Sequence, residues 1–160
     1  MIWSDFERAT PSLAGAARAR LEATRVALLG TIRRDGSPRI SPIEPYFTSQ
    51  DLLLGAMALS LKAADLARDP RCVLHSAISD PDAGETEFKL YGTAVAVVDS
   101  DRRNARSDAW WTSHAPETAL VFTLSIEQAA SVTWALGSGE MTVTRWSESR
   151  GVEETTRSYP

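Results

Sequence analysis

The sequence predicts a mainly β protein built as one antiparallel barrel, closed or partly closed, with two or three short helices. Three observations predict it. About eight segments have strand character, and tight turns such as Asp35-Gly36 and Gly137-Ser138-Gly139 link some of them. Only three short stretches read as helix. Helices and strands do not alternate in the strand–helix–strand order of a parallel sheet.

Thr10-Pro11 predicts a helix start, because Thr can cap and Pro is tolerated at the first helical position; Ala-rich sequence carries the helix from Pro11 to Ala23. Arg25 to Arg33 reads as a buried strand, and Asp35-Gly36 turns it into a partner from Ser37 to Phe47. That partner contains Pro38, Pro42 and Pro45, which central strands avoid. It is therefore bulged, or at an edge, or flanked by something other than a strand. Leu52 to Met57 is a short apolar strand. Ser60 to Arg68 is a helix, capped by Ser60 and stopped by Asp69-Pro70. Cys72 to Ile78 is a strand, residues 79–84 a turn-rich loop, and Glu87 to Val98 a long β run interrupted by Gly92. Ser100 to Trp111 reads as helical. Leu120 to Ile126, Ala130 to Leu136 and Glu140 to Trp146 complete the strands. Residues 1–147 form one domain, and 148–160 a polar tail expected to be loosely ordered.

Composition narrows the function. The 160-residue chain is 43% hydrophobic and 24% charged, an ordinary balance for a globular domain with a real core. Its net charge of -4 argues against a nucleic-acid partner. Arg102, Arg103 and Arg106 cluster, but Asp99, Asp101 and Asp108 interleave with them, which predicts a solvated helix face. The single cysteine, Cys72, gives neither a disulfide nor metal spacing and reads as a small core residue. No signal peptide or membrane-spanning run is visible, so a cytoplasmic location is expected. The sequence has no Gly-rich phosphate loop, no nucleophile elbow and no paired metal ligands around His75 or His114.

Three features could carry chemistry. Ser60-Leu61-Lys62 follows a strand and opens a helix, where free N–H groups and the helix dipole favour an anion. A lysine there works against the dipole, so either a bound phosphate explains it, or Ser60 simply caps and Lys62 points to water. The proline-broken strand through Arg39, Ile40, Ser41, Pro42 and Ile43 leaves backbone groups that could bond the polar edge of a flat heterocycle, or is a plain edge strand. Trp110, Trp111, Trp134 and Trp146 could stack a ring, fill an interface or belong to the core.

The order strand, Asp35-Gly36 turn, proline-rich strand, short strand, Ser60-x-Lys62 helix ending at Asp69-Pro70, then strand, resembles the pyridoxamine 5′-phosphate oxidase-like FMN-binding split β-barrels. The resemblance covers residues 25–98 well and the later strands in outline. Its best segment is Ser60 to Leu74, which follows the family pattern Ser-Arg-Lys, helix, Asn/Asp-Pro-Arg-Val. It implies an antiparallel split β-barrel of Greek-key type. It further implies a homodimer with a cofactor site at the subunit interface, and a flavin-dependent oxidoreductase acting on a small molecule. FMN phosphate would be held by Ser60 and Lys62, the isoalloxazine ring would lie along Arg39 to Ile43, and Glu87 to Tyr91 would come from the second subunit. Leu61 departs from the family, which often has Arg there; Arg39 or Arg25 could supply the second cation, or the ligand differs. A deazaflavin coenzyme in the same groove, or a non-catalytic protein binding flavin or haem (with His75 as haem candidate), are the alternatives. No side chain stands out as a catalytic acid or base. The oxidase's own substrate residues have no match, so pyridoxamine phosphate oxidation is not implied.

Overall fold

The computed structural model describes residues 1–78, 86–135 and 137–158. The expected 79–84 loop lies outside the described residues. Two helices precede the sheet, α1 (Trp3–Ala9) and α2 (Pro11–Thr24). The sequence reading has only the second. α1 has no side-chain cap and is held by burial instead: Trp3 and Phe6, three residues apart on one face, are both buried. Trp3 packs on Phe47 with ring centroids 4.6 Å apart, and Phe6 on Trp146 at 5.0 Å. α2 starts on Pro11, buries Leu13, Ala14, Ala17 and Leu21, and ends at Arg25 in the left-handed region. The Thr10 side chain makes no cap bond there.

The strands are β1 (Ala27–Ile32), β2 (Pro38–Ile43), β3 (Pro45–Phe47), β4 (Leu52–Met57), β5 (Arg71–Ser76), β6 (Glu87–Ala96), β7 (Ala119–Ala135), β8 (Glu140–Ser147) and β9 (Gly151–Ser158). α3 (Leu61–Arg68) joins β4 to β5. All pairings are antiparallel, in the order β2-β1-β5-β6-β7-β4-β3. β2 and β3 are one strand broken at Glu44. Its first part pairs with β1 and its second with β4, so the sheet returns on itself as a six-stranded barrel. This accommodates the prolines: β2 and β3 each have a partner on one side only, and Pro42 and Pro45 flank the change of partner.

β7 is a single strand where two were expected. Tyr91 faces Gln128 and Gly92 faces Ile126, so Glu127 is bulged out of the ladder. The backbone of Met1 pairs with Ile126 at that bulge, through two bonds of 2.8 Å. β7 serves β4 with its first half and β8 with its second. β9 pairs with β8 along its full length, so the segment expected to be a loose tail is an edge strand. Sequence reading missed it because Gly151–Ser158 has no apolar alternation; nearly all of it is exposed.

The barrel interior holds Leu29, Leu52, Leu54, Leu74, Leu90 and Leu124, with α1 and α2 closing one end. β4 is buried on both faces, which explains its unbroken apolar run. Its outer face meets a second cluster of Leu53, Val97, Ala109, Trp111, Ala119 and Val121. Cys72 is partly buried against the main core, and burial pushes its thiol up to about 12.

The expected helix from Ser100 to Trp111 is instead a short α4 (Ser100–Arg103) and a separate 3₁₀ turn at Trp110–Ser113. Its arginines are not a solvated face. Arg102 forks onto the buried Asp51 at 2.6 and 2.7 Å, and Thr123 donates to the same carboxylate. Arg103 is buried, and Arg106 reaches the Phe47 carbonyl at 2.7 Å. Charge alternation misled the reading because each Arg crosses to another element.

The bulge makes Gly92 a tightly constrained position in the sheet. A Cβ there would lie 1.9 Å from the Ser125 carbonyl oxygen. Gly92→Ala is expected to destabilise the fold by about 1–3 kcal/mol or more, read as a lower urea midpoint with an unchanged slope.

Candidate functional site

The site is built where α3 meets the broken strand. Ser60 caps α3: its Oγ accepts from the Ala63 N–H at 3.3 Å, and its carbonyl accepts from Ala64. That leaves the N–H groups of Leu61 and Lys62 without a partner in the helix. The Lys62 ammonium does not point to open water. It reaches back across the partner change and donates to the Pro42 carbonyl at 2.6 Å. Burial lowers its pKa, with the nearby Glu44 carboxylate pulling in the opposite sense.

One turn further on, Asp65 fixes the helix to the barrel. It is 4% exposed and accepts from Thr31 of β1 at 2.9 Å, Arg39 of β2 at 2.6 Å and Arg68 at 3.4 Å. The Arg39 guanidinium, more than any other neighbour, holds the Asp65 carboxyl below its ordinary range. Arg68 also donates to the Ile32 carbonyl. Both barrel strands beside the site are thus bonded to α3 through one carboxylate.

A cleft of about 360 Å³ opens at this junction, lined by Pro42, Ile43, Glu44, Gly55, Met57, Ser60, Lys62 and Trp110, with Val26 at its edge. Gly55 is required here. A Cβ would lie 2.2 Å from the ring of Trp111, so only glycine lets the Trp110–Trp111 pair lie close over β4 and wall the cleft. Trp111 is locked by its Nε1 donating to the Arg103 carbonyl at 2.9 Å. The cleft thus carries the Lys62 ammonium and the Glu44 carboxylate among apolar and aromatic walls, with the first turn of α3 and its two uncapped N–H groups beside it.

Of the residues read from sequence, Pro42, Ile43, Ser60 and Lys62 come together. Arg39 and Ile40 do not line the cleft: Arg39 is tied to Asp65, and Ile40 faces out at 71% exposure. Ser41 does not line the cleft either, although strand alternation puts it on the same side of β2 as Ile43, which does. Nor does Arg25, leaving Lys62 as the cleft's one cation among the described residues. Glu87 lies on β6, with β1 and β5 between it and β2; it bonds Lys89 and sits 3.5 Å from His75 Nε2. Within one chain it does not reach the cleft. Sequence reading missed Gly55, Met57 and Asp65, and offered Trp110 only as one of four tryptophans that could stack a ring, fill an interface or belong to the core. An acid in the body of a short helix, beside Ala63 and Leu66, was the available signal for Asp65. Nothing local announces that Trp110 faces β4.

A larger cleft, about 680 Å³, lies between the β7 bulge and the β8–β9 hairpin and is lined by polar groups including Arg145, Glu148 and Arg150. It shares no residue with the first.

Comparison with known proteins gives three findings. The family model described as pyridoxamine 5′-phosphate oxidase matches residues 13–133. No curated protein matches the chain. Among solved structures, the fold is similar to a pyridoxamine 5′-phosphate oxidase-related, FMN binding protein from Nostoc punctiforme, with a TM-score of 0.63 and 12% identity, covering 93% of this chain and 96% of that one. It is likewise similar to a heme binding protein from Mycobacterium smegmatis, with a TM-score of 0.61 and 15% identity, covering 93% and 89%. At these identities the likeness is one of fold.

Asp65 anchors the site, and its depressed pKa makes that anchoring acid-sensitive. Its contribution is complete above the unfolded carboxyl value of about 3.9 and is lost as pH falls through the lower folded value. Asp65→Asn is expected to cost about 1.5–3 kcal/mol at neutral pH, and the gap between the two proteins in chemical denaturation should close as pH falls below about 4.

Proposed function

The chain belongs to the pyridoxamine 5′-phosphate oxidase family, and from that premise we propose that it binds FMN in the cleft at Lys62 and acts as a flavin-dependent oxidoreductase on a small molecule. The observation that carries this reading is that Ser60 and Lys62, in the first turn of α3 where two N–H groups are left uncapped, line a cleft with an aromatic wall. The residues fit a phosphate. Two N–H groups and the Ser60 hydroxyl hydrogen are available donors, and Lys62 can exchange the neutral Pro42 carbonyl for an anion. They fit a flat ring as well: Trp110, Met57 and Ile43 offer apolar surface, and the break at Glu44 offers backbone polar groups.

Bound flavin would supply the electron or hydride chemistry. The chain's own work is to hold the phosphate end through Lys62 and Ser60, to exclude water with Trp110 and Met57, and to keep α3 in place through Asp65. Leu61 cannot give the bidentate clamp that an arginine gives, so the phosphate rests on one cation.

The same reading includes a homodimer. The outer face of β2, β1, β5 and β6 aligns Ile40, Gly30, Val73 and Tyr91 across adjacent strands, with the exposed Leu28 two residues along β1 on the same face, and Ile40 stands largely in water. A second copy on this face would cover an apolar surface that a monomer leaves wet. It would also give Glu87 to Tyr91 a route to the partner's cleft. A haem reading finds less support: His75 Nδ1 lies 2.6 Å from the Ser76 carbonyl and its Nε2 faces Glu87, so both ring nitrogens are engaged.

Lys62→Ala is expected to weaken FMN binding roughly ten- to a hundredfold, and to lower the stability of the ligand-free chain by about 1 kcal/mol through loss of the bond to the Pro42 carbonyl. Riboflavin, which lacks the phosphate, should bind both proteins alike. Equal FMN affinity in the two proteins would move the phosphate elsewhere. Light scattering at micromolar concentration should give twice the chain mass, and a strict monomer would remove the shared site.

A further inference from the structure

Three charged side chains are buried among the described residues: Asp51, Asp65 and Arg103. Asp51 has Arg102, and Asp65 has Arg39. Arg103, only 6% exposed, has no carboxylate within ion-pair distance among the described residues. One terminal nitrogen, Nη2, donates to the carbonyls of Trp111, His114 and Ala119 at 3.1, 3.2 and 3.3 Å. The other, Nη1, is held only by the side chain of the exposed Asn104 at 3.2 Å. Nε is buried with no partner. Carbonyls satisfy N–H groups but do not neutralise a charge, and a buried cation without a counter-ion is unfavourable.

Arg103 lines a cavity of about 550 Å³, within the size range of small-molecule sites. The cavity opens between the last turn of α3, the end of β6 and the start of β7. Its walls are Leu66, Ala94, Val97, Leu120 and Phe122, and its polar groups, Ser100, Arg103 and Asn104, all come from α4 and its end. It shares no residue with the Lys62 cleft. An apolar chamber with an uncompensated guanidinium at one end is complementary to a molecule with an anionic head and an apolar body.

We propose that this cavity is a binding site for an apolar monocarboxylate. The carboxylate takes Arg103 Nη1 in place of the Asn104 side chain, which is free to turn to water, and the hydrocarbon body lies against Leu120 and Phe122. The site is separate from the cofactor cleft, so occupancy does not depend on FMN.

Decanoate and decan-1-ol, titrated by calorimetry into the full chain below their micelle-forming or solubility limits, test the proposal. Because Arg103 also ties three carbonyls together, its removal could unfold the protein. The informative variant is Asn104→Asp, which sets a resident carboxylate on Nη1 with almost no change of shape. Decanoate is expected to bind wild type at one per chain and at least tenfold more tightly than decan-1-ol. Asn104→Asp should weaken decanoate at least tenfold and leave decan-1-ol unchanged, and added FMN should shift neither. The proposal is overturned if decanoate does not bind, if it binds no better than the alcohol, if Asn104→Asp binds it as wild type does, or if FMN displaces it.

Discussion

A strand that leaves one partner for another exposes backbone groups at the point of exchange, and in this protein the exchange happens at Glu44. The barrel closes there, because β2 belongs to β1 and β3 belongs to β4. The cleft also opens there, because neither neighbour covers the break. Lys62 answers the constraint by taking the Pro42 carbonyl, so the group read as a ligand contact also holds the junction while no ligand is bound. A lysine in the first turn of a helix works against the dipole. Its position is explained by what lies opposite it across the break.

Holding Lys62 there requires α3 to be fixed, and Asp65 fixes it. A buried carboxylate that binds Thr31, Arg39 and Arg68 joins two strands to one helix. It also decides which cations are available. Arg39 could have replaced the arginine missing at Leu61 only by abandoning Asp65, and a buried carboxylate left without its partner is costly. The cleft therefore has a single cation because its second candidate is committed to the architecture. On the far side, Gly55 and the locked Trp111 set how closely Trp110 approaches.

Much of this was legible in the residues. Asp35-Gly36 marked its hairpin, the three prolines marked an irregular strand, and Ser60 with Asp69-Pro70 bounded α3 within a residue. What failed, failed for stated physical reasons. α1 is held by Trp3 and Phe6 in a tertiary pocket, not by its caps. β9 is a polar ribbon that borrows its order from β8. Arg102, Arg103 and Arg106 carry the pattern of a solvated face, yet each reaches another element. The site followed the same rule. Ser60 and Lys62 lie two residues apart in sequence and could be read, as could the break beside Pro42. Asp65, Gly55 and Trp110 matter through contacts across the barrel that no local pattern records.

The central claim is that the broken strand and the start of α3 together form a phosphate-headed cofactor site. A crystal structure of the protein grown with FMN tests it most directly. The account predicts the phosphate within hydrogen-bond distance of Lys62 Nζ and the Leu61 N–H, with the ring against Trp110 and the Lys62–Pro42 bond broken. Flavin density at any other place, or a phosphate at this helix with Lys62 still bonded to Pro42, would contradict it.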